Sequence, residues 1–186
     1  NYRILRDKLI ALGEVFSGDS DTEVLFVGFR RFGVEFLEEL DGMFVIAFYD
    51  VKRRELLLAR DQGGIKPLYW TRDHRGLVFS SELRGIFAAG VERLFDQDSG
   101  EIYLALGYVP GPATLIRGVQ KMCPGQYLEY NLISNTLKTG WFGRQEAPDP
   151  ATSLEAMPQR IREILGTSIR GQTMGLRPFG MYLSGG

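Results

Sequence analysis

The spacing of apolar residues predicts helices at the start of the chain. Leucines recur there every three or four positions, which places them on one face of a helix over residues 2–12 that ends at Gly13. Ser20 and Glu23 form an S-x-x-E pattern ahead of an apolar run, so we expect a capping box at the start of a second helix. A third, short helix is predicted over residues 34–39.

After residue 42 the pattern changes to short apolar runs separated by polar turns. Residues 43–49 are apolar throughout and rich in strand formers, which predicts a strand in a sheet covered on both faces. With residues 55–59 this strand forms a predicted β-hairpin. The other elements predicted in this part are a hairpin of 67–70 with 77–80, a helix over 82–89, and a hairpin of 126–130 with 136–138 that turns at Ser134-Asn135. Helices followed by antiparallel hairpins indicate an α+β domain.

The last part of the chain has the pattern of a separate unit. Thr152 and Glu155 predict another helix start, and a buried strand is predicted over residues 179–183. The predicted apolar face of this helix consists of Leu154, Met157, Ile161, Ile164 and Leu165. The predicted domain limits are 1–144 for the first domain, 145–151 for a proline-rich linker, and 152–186 for the start of an α/β domain.

Charge and composition exclude several function classes. The 186 residues include 22 Lys and Arg and 23 Asp and Glu, a net charge of −1, which argues against nucleic-acid or membrane-surface binding. The single cysteine, Cys123, allows neither an internal disulfide framework nor a cysteine-based zinc site, so we expect a reducing, cytoplasmic location and no metal ligands in this chain. No apolar stretch has the length of a membrane span.

The chain begins with Asn1 rather than Met and ends on Gly186, so we expect both ends to be cuts within a longer protein.

Seven short runs, in order, resemble the glutamine-dependent asparagine synthetase family. They are 1–6 (NYRILR), 20–24 (SDTEV), 40–44 (LDGMF), 60–69 (RDQGGIKPLY), 81–86 (SELRGI), 124–125 (PG) and 182–186 (YLSGG). Each run is a weak signal by itself, and their common order along the chain makes the resemblance specific.

The resemblance implies a fold and an activity. It implies a four-layer αββα glutaminase domain of the N-terminal-nucleophile hydrolase type with antiparallel sheets, followed by the first helix and strand of an α/β adenine-nucleotide domain. In this family glutamine hydrolysis supplies ammonia to an aspartyl-adenylate made from aspartate and Mg-ATP, which gives asparagine, AMP and diphosphate. The family's cysteine nucleophile and oxyanion-hole residues would precede Asn1. We therefore expect no catalytic residue in this chain and no glutaminase activity from the chain alone.

Asp21 is the candidate glutamine-binding residue. The aspartate of the family's S-D-T-E run binds the α-amino group of glutamine, and the resemblance places Asp21 in that role. A carboxylate facing an ammonium group makes a charge-assisted contact. The alternative is an ordinary acid in the first turn of a helix, where negative charge is favourable. Both roles can hold together.

The resemblance also implies an ATP-binding segment at the end of the chain. In the family the loop that contains Ser184, Gly185 and Gly186 grips the pyrophosphate of ATP, and Tyr182 lies on the preceding strand, beside the adenine. Paired glycines let backbone N–H groups approach phosphate oxygens. Ser-Gly-Gly also matches a flexible linker, and the motif's Asp-Ser continuation is not part of this chain.

Three further features have mainly structural interpretations. Arg60 and Asp61 predict a turn held by an internal Arg–Asp pair, with a place near the active site as the alternative. Cys123 has no neighbouring histidine to serve as a base, so we interpret it as a structural thiol. His74 is expected in a solvated turn, and Glu82 is a candidate cap for the following helix.

The function of the longer protein has open alternatives. Glutamine, aspartate and ATP are the expected partners, a homodimer is one candidate assembly, and neither nucleic acid nor membrane is expected. A β-lactam synthetase-like ligase or a polysaccharide amidotransferase would use a different carboxylate acceptor. Phosphoribosyl-pyrophosphate amidotransferases share the R-D-x-x-G-I-x-P-L run but lack the S-G-G strand end. A non-catalytic glutaminase-like binding or scaffold module is the alternative from another class.

Overall fold

A computed structural model describes residues 1–143 and 153–173 and Gly180. The chain divides into two compact units, one of which is Tyr2–Gly143, while the other comprises Asn1 with Arg144–Gly186. In chain order the elements are α1 (Tyr2–Ala11), α2 (Asp21–Phe32), a 3₁₀ helix (Gly33–Glu39), β1 (Val45–Asp50), β2 (Glu55–Arg60), β3 (Tyr69–Asp73), β4 (Gly76–Ser80), α3 (Leu83–Ala88), α4 (Gln97–Leu106), β5 (Gln120–Lys121), β6 (Gln126–Asn131), β7 (Thr136–Trp141) and α5 (Met157–Gln172). The predicted linker and domain limits fall among residues 144–152, outside the described residues, so they stay predictions.

The first sheet is antiparallel and has the strand order β1-β2-β6-β7. Both of its predicted hairpins are confirmed, with Ile46 opposite Ala59 in one and Leu128 opposite Thr139 in the other. The second of these turns at Asn135, which has the positive φ of 53° that asparagine tolerates in turns.

Successive side chains of β2 point to opposite faces of this sheet. Leu57 and Ala59 join a core with α1 and α2, and Leu58 joins a core between the two sheets. On β1, however, Ala47 and Tyr49 are exposed on the same face as Leu58. The prediction that this strand is covered on both faces is therefore wrong for most of its length: Val45 packs against the core between the sheets, whereas Ala47 and Tyr49 are exposed.

The second sheet has the order β4-β3-β5 and is also antiparallel. The core that it shares with the first sheet consists of Leu58, Leu68, Met122, Leu128 and Tyr130. α3 packs against β3 and β4, and its fully buried Ile86 lies outside that shared core. The layers therefore run helix, sheet, sheet, helix, which confirms the predicted α+β class and αββα arrangement.

Two helical segments differ from the predictions. The predicted third helix forms, but as a 3₁₀ helix. The sequence did not predict α4, because its apolar residues form one consecutive run over 102–106 and do not recur at helical spacing. Its ends nevertheless carry local signals: Asp96 accepts a hydrogen bond from the Ser99 N–H at 2.9 Å, and Gly107 ends the helix in the left-handed conformation.

The described part of the second unit is α5 and the turn before it. α5 begins after Ala156, later than the capping-box pattern of Thr152 and Glu155 predicts, and Thr152 lies outside the described residues. Leu154 precedes the helix, and no side chain of α5 is buried. The predicted strand over 179–183 lies, apart from Gly180, outside the described residues. Within the described ranges, no helix combines the length and apolar character needed to cross a bilayer.

Replacing Leu58 with alanine tests the core between the sheets. Leu58 has no exposed surface, so Leu58→Ala should lower the free energy of unfolding by about 2–5 kcal/mol. Leu104 on α4 is 84% exposed, and Leu104→Ala should change it by less than about 0.5 kcal/mol. Urea denaturation measures both, and equal effects of the two changes would contradict the packing described.

Glu14 ties the segment after α1 to the end of α2. Its two carboxylate oxygens lie 2.8 Å from Arg31 Nη1 and 2.6 Å from Arg30 Nη2. Hydrogen bonding to Arg31, assisted by Arg30, lowers the pKa of Glu14 against the opposing effect of desolvation. A carboxyl group whose pKa is lowered on folding stabilises the fold above its unfolded pKa and loses that contribution as the pH falls through its folded pKa.

The Glu14→Gln variant should therefore be less stable than the unmodified protein at neutral pH. The difference should shrink as the pH falls below about 4, the ordinary range of an unfolded glutamate, because protonation of Glu14 in the folded state then removes the charge that Gln lacks. Urea midpoints measured across this range check the prediction, with Glu92→Gln as the control because Glu92 is exposed. A pH-independent difference would show that the arginine contacts do not act through the charge of Glu14.

Candidate functional site

Asp21 is the first residue of α2, directly after the N-cap Ser20. Its side chain is exposed, and its Oδ1 accepts hydrogen bonds from the Thr22 N–H at 2.7 Å and the Thr22 hydroxyl at 3.3 Å. Within the described residues, the hydrogen bonds to this carboxylate engage Oδ1, which leaves Oδ2 available to a ligand. The first-turn and ligand-binding interpretations are thus compatible in this geometry.

The predicted capping box at the start of α2 is half formed. Ser20 Oγ accepts from the Glu23 N–H at 3.2 Å, as predicted. The Glu23 carboxylate does not return to Ser20: it accepts from the Ser17 N–H at 2.7 Å and from the Gly18 N–H at 2.8 Å. Glu23 therefore holds the loop before the helix instead of completing the capping box.

Arg6 of α1 contacts the same loop from the other side. Its Nη2 donates to the Gly18 carbonyl at 3.1 Å, and its guanidinium lies 5.1 Å from the centre of the Phe16 ring. Its Nε is buried without a hydrogen-bond partner among the described residues. Sequence reasoning missed Arg6, because its position on α1 carries no signal for a contact twelve residues away.

Two surface grooves of the Tyr2–Gly143 unit do not include Asp21. One, of about 720 Å³, is lined by the second half of α2, the β1–β2 turn and parts of β6 and β7. The other, of about 270 Å³, lies beside Leu56, Leu77 and Tyr130. The walls of the larger groove mix cationic side chains, such as Arg30 and Lys52, with acidic ones, such as Asp50 and Glu129. Neither groove contains Asp21, so its ligand-binding role stays a prediction.

The turn after β2 is structural, but its predicted Arg–Asp pair is wrong. The buried guanidinium of Arg60 donates to the carbonyls of Gly64, Lys66 and Met122. The fully buried carboxylate of Asp61 accepts from the N–H groups of Ile65 at 2.9 Å and Lys66 at 3.0 Å. Each side chain satisfies backbone groups of the turn, so the two do not need one another.

The other candidates fall in structural positions or outside the described residues. Cys123 is half-buried, and its N–H donates to the side chain of Gln126 at 2.8 Å. His74 is exposed in the β3–β4 turn, as predicted. Glu82 precedes α3 but makes no capping bond, because its carboxylate pairs with Arg84 at 2.8 Å. The predicted ATP-binding residues Tyr182, Ser184, Gly185 and Gly186 lie outside the described residues.

Comparison with known proteins identifies the family. Residues 1–141 match the glutamine amidotransferase domain. The whole chain aligns at 31% identity with asparagine synthetase [glutamine-hydrolyzing] 1 of Bacillus subtilis and spans 29% of that protein's length. The amidase chry2 of Gibberella zeae is 28% identical over 180 residues, which are 92% of this chain and 26% of that protein.

The fold has relatives among solved structures. The glutamine phosphoribosylpyrophosphate amidotransferase of B. subtilis, solved in complex with ADP and GMP, superposes with a TM-score of 0.53 at 23% identity. The superposition covers 76% of this chain and 26% of that one. At this level of identity the likeness concerns the fold, and it agrees with the stacked antiparallel sheets described above. Because the domain match covers most of its length, the chain belongs to the glutamine amidotransferase domain family.

Proposed function

We propose that this chain is the later part of the glutaminase domain, together with the start of the ATP-dependent domain, of a glutamine-hydrolysing asparagine synthetase. The observation that carries the proposal is the alignment with the Bacillus enzyme, which covers the whole chain. That alignment continues past residue 141, where the match to the glutamine amidotransferase domain ends. The chain spans less than a third of that relative's length, so the reaction proposed is that of a longer protein.

In the proposed reaction, glutamine is hydrolysed to glutamate and ammonia in the first domain. The ammonia then attacks an aspartyl-adenylate made from aspartate and ATP, which gives asparagine and AMP, diphosphate having left when the adenylate formed. We place the sulfur nucleophile before Asn1, as the family resemblance implies, and assign no catalytic residue to this chain. Cys123 does not fit that role, because the family's nucleophile is the first residue of the mature protein and Cys123 lies far inside the chain.

Asp21 is the glutamine-binding residue of this proposal. Its exposed carboxylate stands at the start of α2 with Oδ1 held by Thr22, so Oδ2 can accept from the α-ammonium group of glutamine. Such a contact favours glutamine over an analogue that lacks the amino group, because the unpaired carboxylate would lose its partner. The backbone of Gly185 and Gly186, with Ser184, would contact the phosphates of Mg-ATP, and Tyr182 would lie beside the adenine.

The acceptor of the ammonia is the least constrained part of the proposal. A relative with another carboxylate acceptor is the second candidate function, which the family resemblance leaves open. Residues that would bind the acceptor lie beyond Gly186 by the family resemblance. A homodimer and a cytoplasmic location stay predictions.

Replacing Asp21 tests the glutamine site in the full-length protein that carries this chain. Asp21→Asn keeps the shape of the side chain but removes its charge, so the KM for glutamine should rise roughly 10- to 100-fold. Activity with free ammonia should not change, because ammonia bypasses the glutaminase site. Steady-state kinetics with both nitrogen donors measures these effects.

The matched control for this experiment is Asp98→Asn, which removes an exposed carboxylate from the first turn of another helix, α4. It should leave the KM for glutamine within about twofold of the unmodified protein. An unchanged KM in Asp21→Asn, or an equal rise in both variants, would contradict the proposed role of Asp21.

A second experiment separates an enzyme from a non-catalytic glutaminase-like module. The leading cysteine of the full-length protein is replaced by alanine, and ammonia release from glutamine is measured. We expect release to stop while ammonia-dependent activity remains. Unchanged release in this variant would rule out the proposed chemistry, and a protein without that cysteine would favour the binding or scaffold module.

A further inference from the structure

We propose that Glu23 and Arg6 are positioning residues that hold the loop over residues 16–20 and thereby fix the direction of the Asp21 carboxylate. This inference rests on the proposed function, since it concerns the recognition of the α-ammonium group of glutamine. Neither residue touches the substrate in this proposal. Both act through the backbone that precedes Asp21.

Glu23 makes a two-point contact with the loop. One carboxylate oxygen accepts from the Ser17 N–H at 2.7 Å and the other from the Gly18 N–H at 2.8 Å. These are short, charge-assisted bonds, and each uses a different oxygen. Glu23 sits in the first turn of α2, so it couples the helix that carries Asp21 to the loop that leads into it.

Arg6 completes the contact from α1. It donates to the Gly18 carbonyl at 3.1 Å, so both backbone polar groups of Gly18 are bonded to side chains from two different helices. The same guanidinium covers the ring of Phe16. A Cβ at position 18 would lie 3.3 Å from a Glu23 carboxylate oxygen, a spacing that leaves little room for a side chain.

The loop geometry controls where Asp21 points. Because Oδ1 of Asp21 is bonded to the Thr22 N–H, the side chain is fixed relative to its own backbone. The direction of the remaining oxygen then depends on the backbone around Ser20, which the Glu23 and Arg6 contacts restrain. An ion-pairing group that is already oriented loses less freedom when the ligand binds.

The isosteric change Glu23→Gln tests this proposal. An amide has one accepting oxygen, so it cannot repeat the contact in which each oxygen accepts from one loop N–H, and its NH₂ would face the other donor. In the full-length protein we expect the KM for glutamine to rise roughly tenfold, with kcat within about twofold. Hydrogen exchange of the amides at Ser17 and Gly18 should become faster.

The Glu23→Asp variant tests whether Glu23 acts through its two hydrogen bonds to the loop or only through its negative charge at the start of α2. Aspartate keeps the negative charge but is one methylene shorter, so it should not span both N–H groups and should raise the KM as Glu23→Gln does. A normal KM in Glu23→Asp would overturn the proposal in favour of a helix-dipole role. Glu35→Gln is the control for removing an exposed glutamate charge in the 3₁₀ helix that follows α2, and it should leave both the KM and the exchange rates unchanged.

Measuring Asp21→Asn in parallel separates the proposed glutamine site from the proposed positioning role of Glu23. If Asp21→Asn raises the KM but neither Glu23 variant does, the positioning role is overturned and the proposed glutamine site stands. If Asp21→Asn leaves the KM unchanged, the glutamine site and the positioning role both fail. A rise in all three, with faster exchange only in the Glu23 variants, supports both.

Discussion

The contact between the two antiparallel sheets is the constraint on which the rest of the Tyr2–Gly143 unit depends. Leu58 and Leu128, from neighbouring strands of the first sheet, are fully buried against Leu68 and Met122. Because side chains alternate along a strand, this contact also decides which residues face the helices on the other side. α2 packs on that other face of the first sheet, so the same contact sets the position of α2 and of Asp21.

Arg60 and Asp61 are charged but buried, because the chain turns beside the core as it leaves β2 towards β3. A turn beside a core leaves backbone N–H and C=O groups without water, and unpaired groups of this kind destabilise a fold. Arg60 supplies donors to the carbonyls, and Asp61 supplies acceptors to the N–H groups. The run is thus a structural signature of the fold, and it need not take part in the chemistry.

The region around Asp21 shows how a local sequence signal can be correct in type and wrong in detail. The S-x-x-E pattern marks the start of α2, and Ser20 caps it. Glu23, however, has two loop N–H groups within reach and bonds to those instead of to Ser20. The sequence pattern shows which hydrogen-bonding groups are close along the chain. The fold of the loop decides which of those N–H groups the Glu23 carboxylate binds.

The sequence by itself determined most of the helices and strands, the hairpins of the stacked sheets and the family, because apolar spacing and ordered motifs are properties of the chain alone. It did not predict α4, whose apolar residues form one consecutive run over 102–106, or the exposed side of β1. Only the tertiary structure decided that Arg60 and Asp61 bond to backbone rather than to each other, and that Arg6 reaches the loop before Asp21. The physical reason is that hydrogen-bond partners are chosen by proximity in space, which depends on how the sheets and helices pack.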